Sequence, residues 1–400
     1  MRRRELLAWL GLSPAALLLG GHAGANANAA AKPIGTGDLG VVVERARGAL
    51  ALVNTSTRSV LAEIGGLGDL SHASVVFSRD GAVAYVFGRD GGLSKVNLLT
   101  RQIEARVMQA GNSIGGAISA DGTLVAAQNY TPGGIKVFDA GTLAQLADIP
   151  ARDERGGLSR VVGLADLPGR RFIFSLFDAG QIWIADLSDS GNPQITKLVD
   201  AGRQPYDALL TPDGRYYIAG LFGEDGLALV DLWDESPRIR RILSGYGRGE
   251  QPLPVFKMPH LRGWAVAGRH AYLPAIGRHE VLVVDTASWL EVDRIPVAGQ
   301  PVFVMARPDG RQVWVNFAVP DYDRVQVIDT VSRRVVRSLS PGKAVLHMEF
   351  TPRSEAVWIS ARDANRVVVI DTLNFRVLAE LDIDAPSGVF FTSRATRMGL

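Results

Sequence analysis

The amino-acid sequence predicts an all-β fold, an eight-bladed β-propeller, on three observations. First, a strand-like aliphatic segment that ends in Asp or Asn recurs eight times along the chain. Second, an Asp-Gly pair lies upstream of several of these segments, as in FSRDG ending at Gly81 and ARPDG ending at Gly310. Third, the two ends of the chain carry complementary parts of one unit. A four-stranded unit with a period of about 40–45 residues is typical of a propeller blade.

The recurring Asp or Asn marks the end of one strand in each unit. It is followed by a short polar turn and by a further strand-like segment, such as Val60–Ile64. Eight marks predict eight blades. Seven blades is the alternative, which applies if the first unit or the weaker fourth unit does not form a complete blade. The marks are Asn54, Asn97, Asp139, Asp186, Asp231, Asp285, Asp329 and Asp371.

The Asp-Gly pairs and the chain ends complete the unit. Asp-Gly between alternating apolar runs predicts a hairpin, so it joins the opening strand of a unit to the next strand. The segment Gly40–Asn54 lacks an opening strand, whereas Gly388–Thr392 reads as an opening strand with no unit after it. We therefore expect the ends to share one blade, because closing the ring removes exposed sheet edges. Residues 30–400 are predicted to form this single domain.

Residues 1–29 are predicted to be a signal peptide of the twin-arginine type. Arg2, Arg3 and Arg4 precede an apolar run, Leu6–Leu19, and small residues follow up to Ala29. An uncleaved membrane anchor is the alternative, but a span needs roughly 20 apolar residues and this run is shorter. Twin-arginine signals export folded proteins. We therefore expect a periplasmic protein with no integral membrane segment after cleavage.

Composition and charge exclude several classes of function. The 400 residues include no Cys, which excludes disulfides, thiolate metal sites and covalent c-type haem attachment. The predicted signal removes three Arg and one Glu from 43 basic and 41 acidic residues, which leaves a net charge of zero. A neutral surface without a basic block argues against nucleic acid as a partner.

Candidate site residues come from the loops that lead into the innermost strands, since these loops share one mouth of a propeller. Three of the six histidines, His72, His260 and His347, fall at equivalent positions of different units. Arg and Lys suit carboxylates and neutral imidazole ligates iron, so this mouth suits an anionic, flat or metal-bearing ligand. Each residue taken alone has the alternative of packing or surface pairing. The predicted mouth residues are His72, Asn112, Ser113, Arg160, Tyr206, Asp207, Lys257, His260, Phe303, His347, Pro386 and Ser387.

Other motifs narrow the function further. The chain has no H-E-x-x-H zinc motif and no G-x-S-x-G nucleophile elbow. The cluster Gly245, Gly247 and Gly249 does not open a helix, which disfavours an oxidoreductase with a nicotinamide or flavin. The longest interval between two of the recurring Asp or Asn residues, from Asp231 to Asp285, contains a segment predicted to be an irregular loop, Leu243–Met258. Such loops carry function or partner contacts, or are tolerated surface insertions.

Four segments resemble the NirF family of haem d1 biosynthesis proteins, which is related to the haem d1 propeller domain of periplasmic nitrite reductase and to the dehydrogenase NirN. They are SHASVVFSRDGAVAYVFGRDG (Ser71–Gly91), AAQNYTPGG (Ala126–Gly134), LSRVVGL (Leu158–Leu164) and GYGRGE (Gly245–Glu250). The resemblance covers the whole mature chain. It implies a periplasmic protein that binds haem d1 or a late iron tetrapyrrole precursor during haem d1 biosynthesis, for denitrification. The implied partners are other haem d1 assembly proteins and the nitrite reductase.

The resemblance also implies roles for individual residues. His72 resembles the proximal ligand of the d1-type iron. Arg160 and Arg248 resemble arginines that meet the carboxylates of the macrocycle, and Tyr130 lies in a matching aromatic-Pro segment. Lys257 is a further cation predicted at the mouth.

Two departures from the family pattern argue against nitrite reduction. The segments that match the distal histidines of nitrite reductase read QPYDALL and SGYGRGE, without His, and CxxCH is absent. A tailoring reaction of dehydrogenase type would need a general acid or base, for which Asp207, His260, His347 and Tyr206 are candidates. The alternatives are a non-catalytic haem d1 carrier and a propeller that binds a protein partner through its rim.

Overall fold

The computed structural model describes residues 35–247, 264–275 and 278–399. The predicted signal of residues 1–29 and the predicted site residues Arg248, Lys257 and His260 lie outside this part of the chain. Within it, 4-stranded antiparallel sheets repeat eight times, which confirms the predicted eight-bladed β-propeller and shows that the seven-blade alternative is wrong. No helix in these ranges is long and apolar enough to cross a membrane.

Blade 1 combines the first three strands with the last strand of the chain, and blades 2 to 4 follow in chain order. The strands are, in blade 1, β1 Leu39–Glu44, β2 Ala49–Asn54, β3 Ser59–Ile64 and β32 Pro386–Phe391; in blade 2, β4 Ser74–Phe77, β5 Val83–Phe87, β6 Gly92–Asn97 and β7 Gln102–Met108; in blade 3, β8 Asn112–Ile118, β9 Leu124–Thr131, β10 Ile135–Asp139 and β11 Gln145–Ile149; in blade 4, β12 Val161–Leu167, β13 Arg171–Leu176, β14 Gln181–Asp186 and β15 Gln194–Leu198.

Blades 5 to 8 have the same order, with the first strand of each blade innermost. Short 3-10 turns cover Thr36–Asp38, Arg362–Ala364 and Thr392–Thr396. The strands are, in blade 5, β16 Pro205–Leu210, β17 Tyr216–Leu221, β18 Leu227–Asp231 and β19 Ile239–Ile242; in blade 6, β20 Ala265–Ala267, β21 His270–Ala275, β22 Glu280–Asp285 and β23 Leu290–Pro296; in blade 7, β24 Pro301–Ala306, β25 Gln312–Phe317, β26 Val325–Asp329 and β27 Arg334–Leu339; in blade 8, β28 Val345–Phe350, β29 Ala356–Ala361, β30 Arg366–Asp371 and β31 Val377–Asp382.

The repeated Asp or Asn ends the third strand of every blade and caps the turn that follows. In blade 3, Asp139 Oδ1 accepts hydrogen bonds from the backbone N–H and the hydroxyl of Thr142, both at 2.8 Å. In blade 1, Asn54 Oδ1 accepts a hydrogen bond from the backbone N–H of Thr57 in the same way. A short polar side chain that bonds to the backbone two or three residues on is a strong turn former. This local chemistry is why the mark recurs with the blade period.

The Asp-Gly turns join the innermost strand to the second strand, as the sequence predicted. In the turn after β4, the Ser78 hydroxyl donates to Asp80 Oδ1 at 2.5 Å. Gly81 follows with φ of 69°, a left-handed conformation that glycine adopts without steric cost. The same hydroxyl, carboxylate and glycine arrangement recurs after β8 and β16.

The hydrophobic core lies between the blades rather than inside one sheet. One cluster joins Trp314 of blade 7 to Val357 and Ile359 of blade 8. Another joins Trp358 of blade 8 to Val42 and Phe391 of blade 1. Each large apolar side chain buried in this way contributes about 1.5–3 kcal/mol. Packing between neighbouring blades therefore holds the ring and fixes the mouth where the loops meet.

The first and last strands pair directly. Val41 and Val42 of β1 lie opposite Phe390 and Val389 of β32 in antiparallel register. The Thr392 hydroxyl donates to the backbone oxygen of Leu39 at 2.8 Å just beyond this pairing. Blade 1 is thus built from both ends of the described chain.

Candidate functional site

A cavity of about 490 Å³ opens at the mouth where the chain enters the innermost strands. We call it the mouth cavity. Its volume lies within the range of about 300–1,000 Å³ that is usual for small-molecule sites. Its lining includes His72, Tyr206, Asp207, Phe303 and His347, which the sequence analysis placed at this mouth.

β-Bulges at the start of the innermost strands direct several of these side chains into the mouth cavity. In blades 1, 4, 5 and 7, two residues of the innermost strand oppose one residue of its partner. The bulged pairs Tyr206–Asp207, Val302–Phe303 and Ser387–Gly388 all line the mouth cavity. A bulge turns adjacent side chains away from strict alternation and is common beside functional sites.

Side chains of neighbouring strands bind the backbone groups that the bulges leave unpaired. The N–H of Phe303 donates to Asn316 Oδ1 at 2.9 Å, and the N–H of His347 donates to Ser360 Oγ at 2.9 Å. The N–H of Leu164 donates to Gln128 Oε1 across blades, also at 2.9 Å. These bonds hold the irregular backbone in place, so the lining is preorganised rather than loose.

His72 is an exposed residue of the mouth-cavity lining, two positions before β4. The loop in front of it is fixed by Asp69, whose Oδ1 accepts the backbone N–H of Ser71 at 2.8 Å. Ser74 Oγ, also in the lining, is buried and has no hydrogen-bond partner within the protein. Gly115 stands opposite, where a Cβ would approach Ser74 Oγ to 2.8 Å. The lining near His72 therefore includes a buried hydroxyl without a hydrogen-bond partner, at a point where only glycine fits opposite it.

Two arginines that the sequence analysis missed line the mouth cavity, Arg45 and Arg362. Arg45 follows β1 and Arg362 follows β29. Burial is the larger cause that lowers the pKa of Arg45, and the positive charge of Arg362 lowers it further. Arg362 Nε donates to Asp363 Oδ1 at 2.6 Å, which raises the pKa of Arg362. Two cations that line one cavity favour an anion bound there.

Arg160, which the resemblance implied as a carboxylate-binding residue, is engaged by other side chains of the protein. Its Nε and Nη2 donate to Asp178 at 3.0 and 2.5 Å, and its guanidinium lies 4.2 Å from the ring centroid of Phe177. It is not among the residues that line the mouth cavity. The hydrogen bonds to Asp178 are the main cause that raises its pKa.

Tyr206 belongs to an aromatic group at the edge of the mouth cavity. Its hydroxyl lies 2.9 Å from the hydroxyl of Tyr130, and its ring contacts Phe177 and Phe222 with centroids 5.8 and 5.9 Å apart. Burial raises the pKa of both tyrosines. At neutral pH both phenols are therefore protonated, and neither serves as a general base. Asp207 is the one carboxylate among the described lining residues, and it is a candidate base there beside the histidines.

His347 lies deeper than His72 and is packed by aromatic rings. The ring centroids of Phe390 and Phe303 are 5.4 and 6.4 Å from that of the imidazole. The backbone N–H of Val389 donates to His347 Nδ1 at 3.2 Å. Burial, and then the positive charge of Arg394, lower the pKa of His347 to about 3. His347 is therefore uncharged at neutral pH.

The structure thus brings His72, Tyr206, Asp207 and His347 together in one cavity, and places Tyr130 and Arg160 beside Tyr206. The positions of the two missed arginines in the repeat could have identified them from the sequence. Arg45 and Arg362 each come one residue after the second strand of a blade. Loops that leave the second strand share the mouth with loops that enter the first, so residues at the start of either loop can line the cavity.

In the ranges that the structure describes, no group of three or more His, Asp or Glu side chains is placed to hold a bare metal ion. An iron held by a macrocycle needs only an axial ligand from the protein, which a single imidazole supplies.

Comparison with known proteins identifies the family. Residues 34–395 match the family described as Cytochrome D1 heme domain. Protein NirF of Stutzerimonas stutzeri is 61% identical over 368 residues, which is 92% of this chain and 94% of that protein. The chain belongs to the NirF family. Protein NirF of Pseudomonas aeruginosa is 57% identical over the same shares of the two chains. These matches confirm the resemblance seen in the sequence.

A solved structure described as "Dihydro-heme d1 dehydrogenase NirN in complex with DHE" has the same fold. It superposes with a TM-score of 0.79 over 90% of this chain and 76% of that chain, at 24% identity.

Proposed function

We propose that this NirF-family protein binds haem d1, or a late iron tetrapyrrole precursor of it, in the mouth cavity during haem d1 biosynthesis. The observation that carries the proposal is the apposition of Arg45 and Arg362 in the same cavity as the exposed imidazole of His72. An iron tetrapyrrole with carboxylate substituents needs both kinds of group, an axial nitrogen and cations. Membership of the Cytochrome D1 heme domain family supports the choice of macrocycle.

Different residues of the mouth cavity bind different parts of the tetrapyrrole. His72 supplies a neutral nitrogen ligand for the iron, and Arg45 and Arg362 bind carboxylates. Tyr206, supported by Phe177 and Phe222, presents an aromatic wall to the flat macrocycle. When bound, the tetrapyrrole supplies an iron with an axial position that an imidazole can fill.

A titration of the purified protein with haem d1, followed by visible spectroscopy, tests this function. We expect saturable binding of one macrocycle per chain with a shift of the visible bands, because imidazole is a strong nitrogen donor to iron. Iron protoporphyrin IX is the matched control ligand, with fewer carboxylates, and should bind more weakly. No saturable change with haem d1, or equal binding of both macrocycles, would contradict the proposal.

We propose that this function is carried out in the periplasm, on the strength of the twin-arginine pattern at Arg3 and Arg4. The other haem d1 assembly proteins and the periplasmic nitrite reductase are its expected partners. Changing Arg3 and Arg4 together to Lys should abolish periplasmic accumulation, since the export receptor reads the guanidinium pair. Immunoblots of periplasmic and cytoplasmic fractions measure this. Unchanged periplasmic protein would argue against twin-arginine export.

A further inference from the structure

A second cavity lies at the other end of the innermost strands from the mouth cavity. Its volume of about 670 Å³ is within the range of about 300–1,000 Å³ that is usual for small-molecule sites. In β24, Val302 and Phe303 line the mouth cavity, whereas Met305 and Ala306 line the second cavity. Gly310, from the Asp-Gly turn that follows β24, also belongs to the second lining. We call this space the turn-side cavity.

Arg394 separates the two cavities. It is the one described residue that lines both of them. Its guanidinium pairs with the carboxylate of Glu349 and lies 5.4 Å from the ring centroid of Phe390. The Arg394 and Glu349 side chains are only 11% and 6% exposed. Apart from this one shared residue, the turn-side cavity therefore has a lining of its own.

The last residues of the described chain form one wall of the turn-side cavity and are fixed to distant blades. Arg79 Nη1, from the FSRDG turn of blade 2, donates to the backbone oxygen of Ala395 at 2.6 Å. Asp166 Oδ1, from β12 of blade 4, accepts the N–H of Gly399 at 2.8 Å. Arg397, which lines the cavity, lies between these two attachment points. This wall is therefore held by the folded ring.

The charges of the lining leave one arginine without a counter-charge. Two carboxylates line the turn-side cavity, and each is paired with an arginine of the same lining. Glu349 pairs with Arg394, and Asp309 Oδ2 lies 3.3 Å from Nη1 of Arg307. Arg397 is exposed and forms no ion pair with a described residue. The described lining thus carries one net positive charge, which attracts a ligand with one negative charge.

The rest of the lining is largely apolar. Met305 comes from blade 7, Phe350 from blade 8 and Val266 from blade 6. Two N–H groups of lining residues, Nε1 of Trp264 and Nε of Arg394, are buried without a hydrogen-bond acceptor in the protein. Apolar walls suit the body of an organic molecule, and donors without an acceptor favour a ligand that carries oxygen atoms. These features together fit an apolar molecule with one acidic group.

We propose that the turn-side cavity binds a small organic monoanion, whose apolar body lies against Met305 and Phe350 and whose carboxylate or sulfonate is bound by Arg397. The site goes beyond the tetrapyrrole binding proposed above and does not depend on it, since the two cavities share only Arg394. Because Arg397 is exposed, the ligand enters from the side of the Asp-Gly turns and need not pass the mouth cavity.

Two fluorescent probes that differ by one charge test this site. Anilinonaphthalene sulfonate (ANS) has an apolar body and one sulfonate, and N-phenylnaphthylamine has the same body without the charge. Fluorescence titration should show saturable binding of ANS to the wild-type protein. In Arg397→Gln the Kd of ANS should rise about tenfold or more, because a hydrogen bond to a charged group is lost. The Kd of the neutral probe should change by less than about twofold.

Arg353→Gln is the matched control for the charge. Arg353 lies in the corresponding turn of blade 8, is 82% exposed and does not line the turn-side cavity, so this variant should bind ANS as the wild type does. Equal ANS affinity in the wild type and Arg397→Gln would overturn the inference. An equal loss in Arg353→Gln would also overturn it, because the protein would then respond only to overall charge.

A crystal structure of the wild-type protein with ANS provides a second test that needs no variant. The sulfonate should lie at Arg397 and the naphthalene ring against Met305 and Phe350. ANS found only in the mouth cavity or on the outer surface would overturn the inference. Haem d1 titrations of Arg397→Gln should match those of the wild type, so the failure of this site and the failure of tetrapyrrole binding can be told apart.

Discussion

His72→Ala is expected to remove the spectral change that accompanies haem d1 binding. His72 is the exposed imidazole of the mouth cavity, and the axial nitrogen that shifts the visible bands is assigned to it. We expect the affinity to fall tenfold or more, which is about 1.4 kcal/mol or more. The fold should survive, because the side chain is exposed and lies in a loop before β4. Visible titrations of the two proteins at one pH, with circular dichroism as a check of folding, measure the effect.

Two controls separate ligation from a general loss of binding. His270→Ala removes a histidine at the other end of a blade, where it contacts Arg333 at 3.2 Å, and should leave the spectrum unchanged. Free imidazole added to His72→Ala should restore the bound spectrum, since it can occupy the vacated space. An unchanged spectrum in His72→Ala would mean that another group ligates the iron. Because His347 Nδ1 accepts a backbone hydrogen bond, His260 would then be the next candidate.

Replacing Arg45 and Arg362 together with Gln is expected to give the largest loss of affinity. Each lost hydrogen bond to a charged group costs about 1.5–3 kcal/mol, so the pair should cost about 3–6 kcal/mol, or roughly 10²- to 10⁴-fold in Kd. Each single variant should show part of this loss.

Arg160→Gln is the matched control for the arginine variants. It removes a cation from the same mouth, but one whose guanidinium is engaged by Asp178 and lies outside the cavity lining. Its Kd for haem d1 should change by less than about threefold, which is the scale of a screened surface charge. An equal loss in Arg160→Gln and in the double variant would show that overall charge, and not the Arg45–Arg362 pair, attracts the ligand.

The fold was predictable because its signals are local. Asp139 caps its own turn, and Ser78, Asp80 and Gly81 form another turn. Because each turn is formed by residues close in sequence, the blade period can be recognised from short segments. The site was predictable only in part. His72 and His347 were placed at the mouth from their positions in the repeat, whereas nothing in the sequence reports that Arg160 pairs with Asp178.

The remaining site features depend on contacts between distant segments. The bulge that turns Tyr206 and Asp207 into the mouth arises from the register of β16 against β17, which no single segment specifies. Arg394 lines the mouth cavity and pairs with Glu349, which is 45 residues away in the sequence. Arg45 and Arg362 line the same cavity because blades 1 and 8 are adjacent once the ring has closed. Contacts between distant segments produce no local sequence pattern, so these features could not be predicted from the sequence.

The most direct test of the account is a crystal structure of the protein in complex with haem d1. We expect the macrocycle in the mouth cavity, with His72 ligating the iron and carboxylates bound by Arg45 and Arg362. A macrocycle bound elsewhere on the ring, or bound in the mouth cavity with neither His72 on the iron nor a carboxylate at the two arginines, would contradict it.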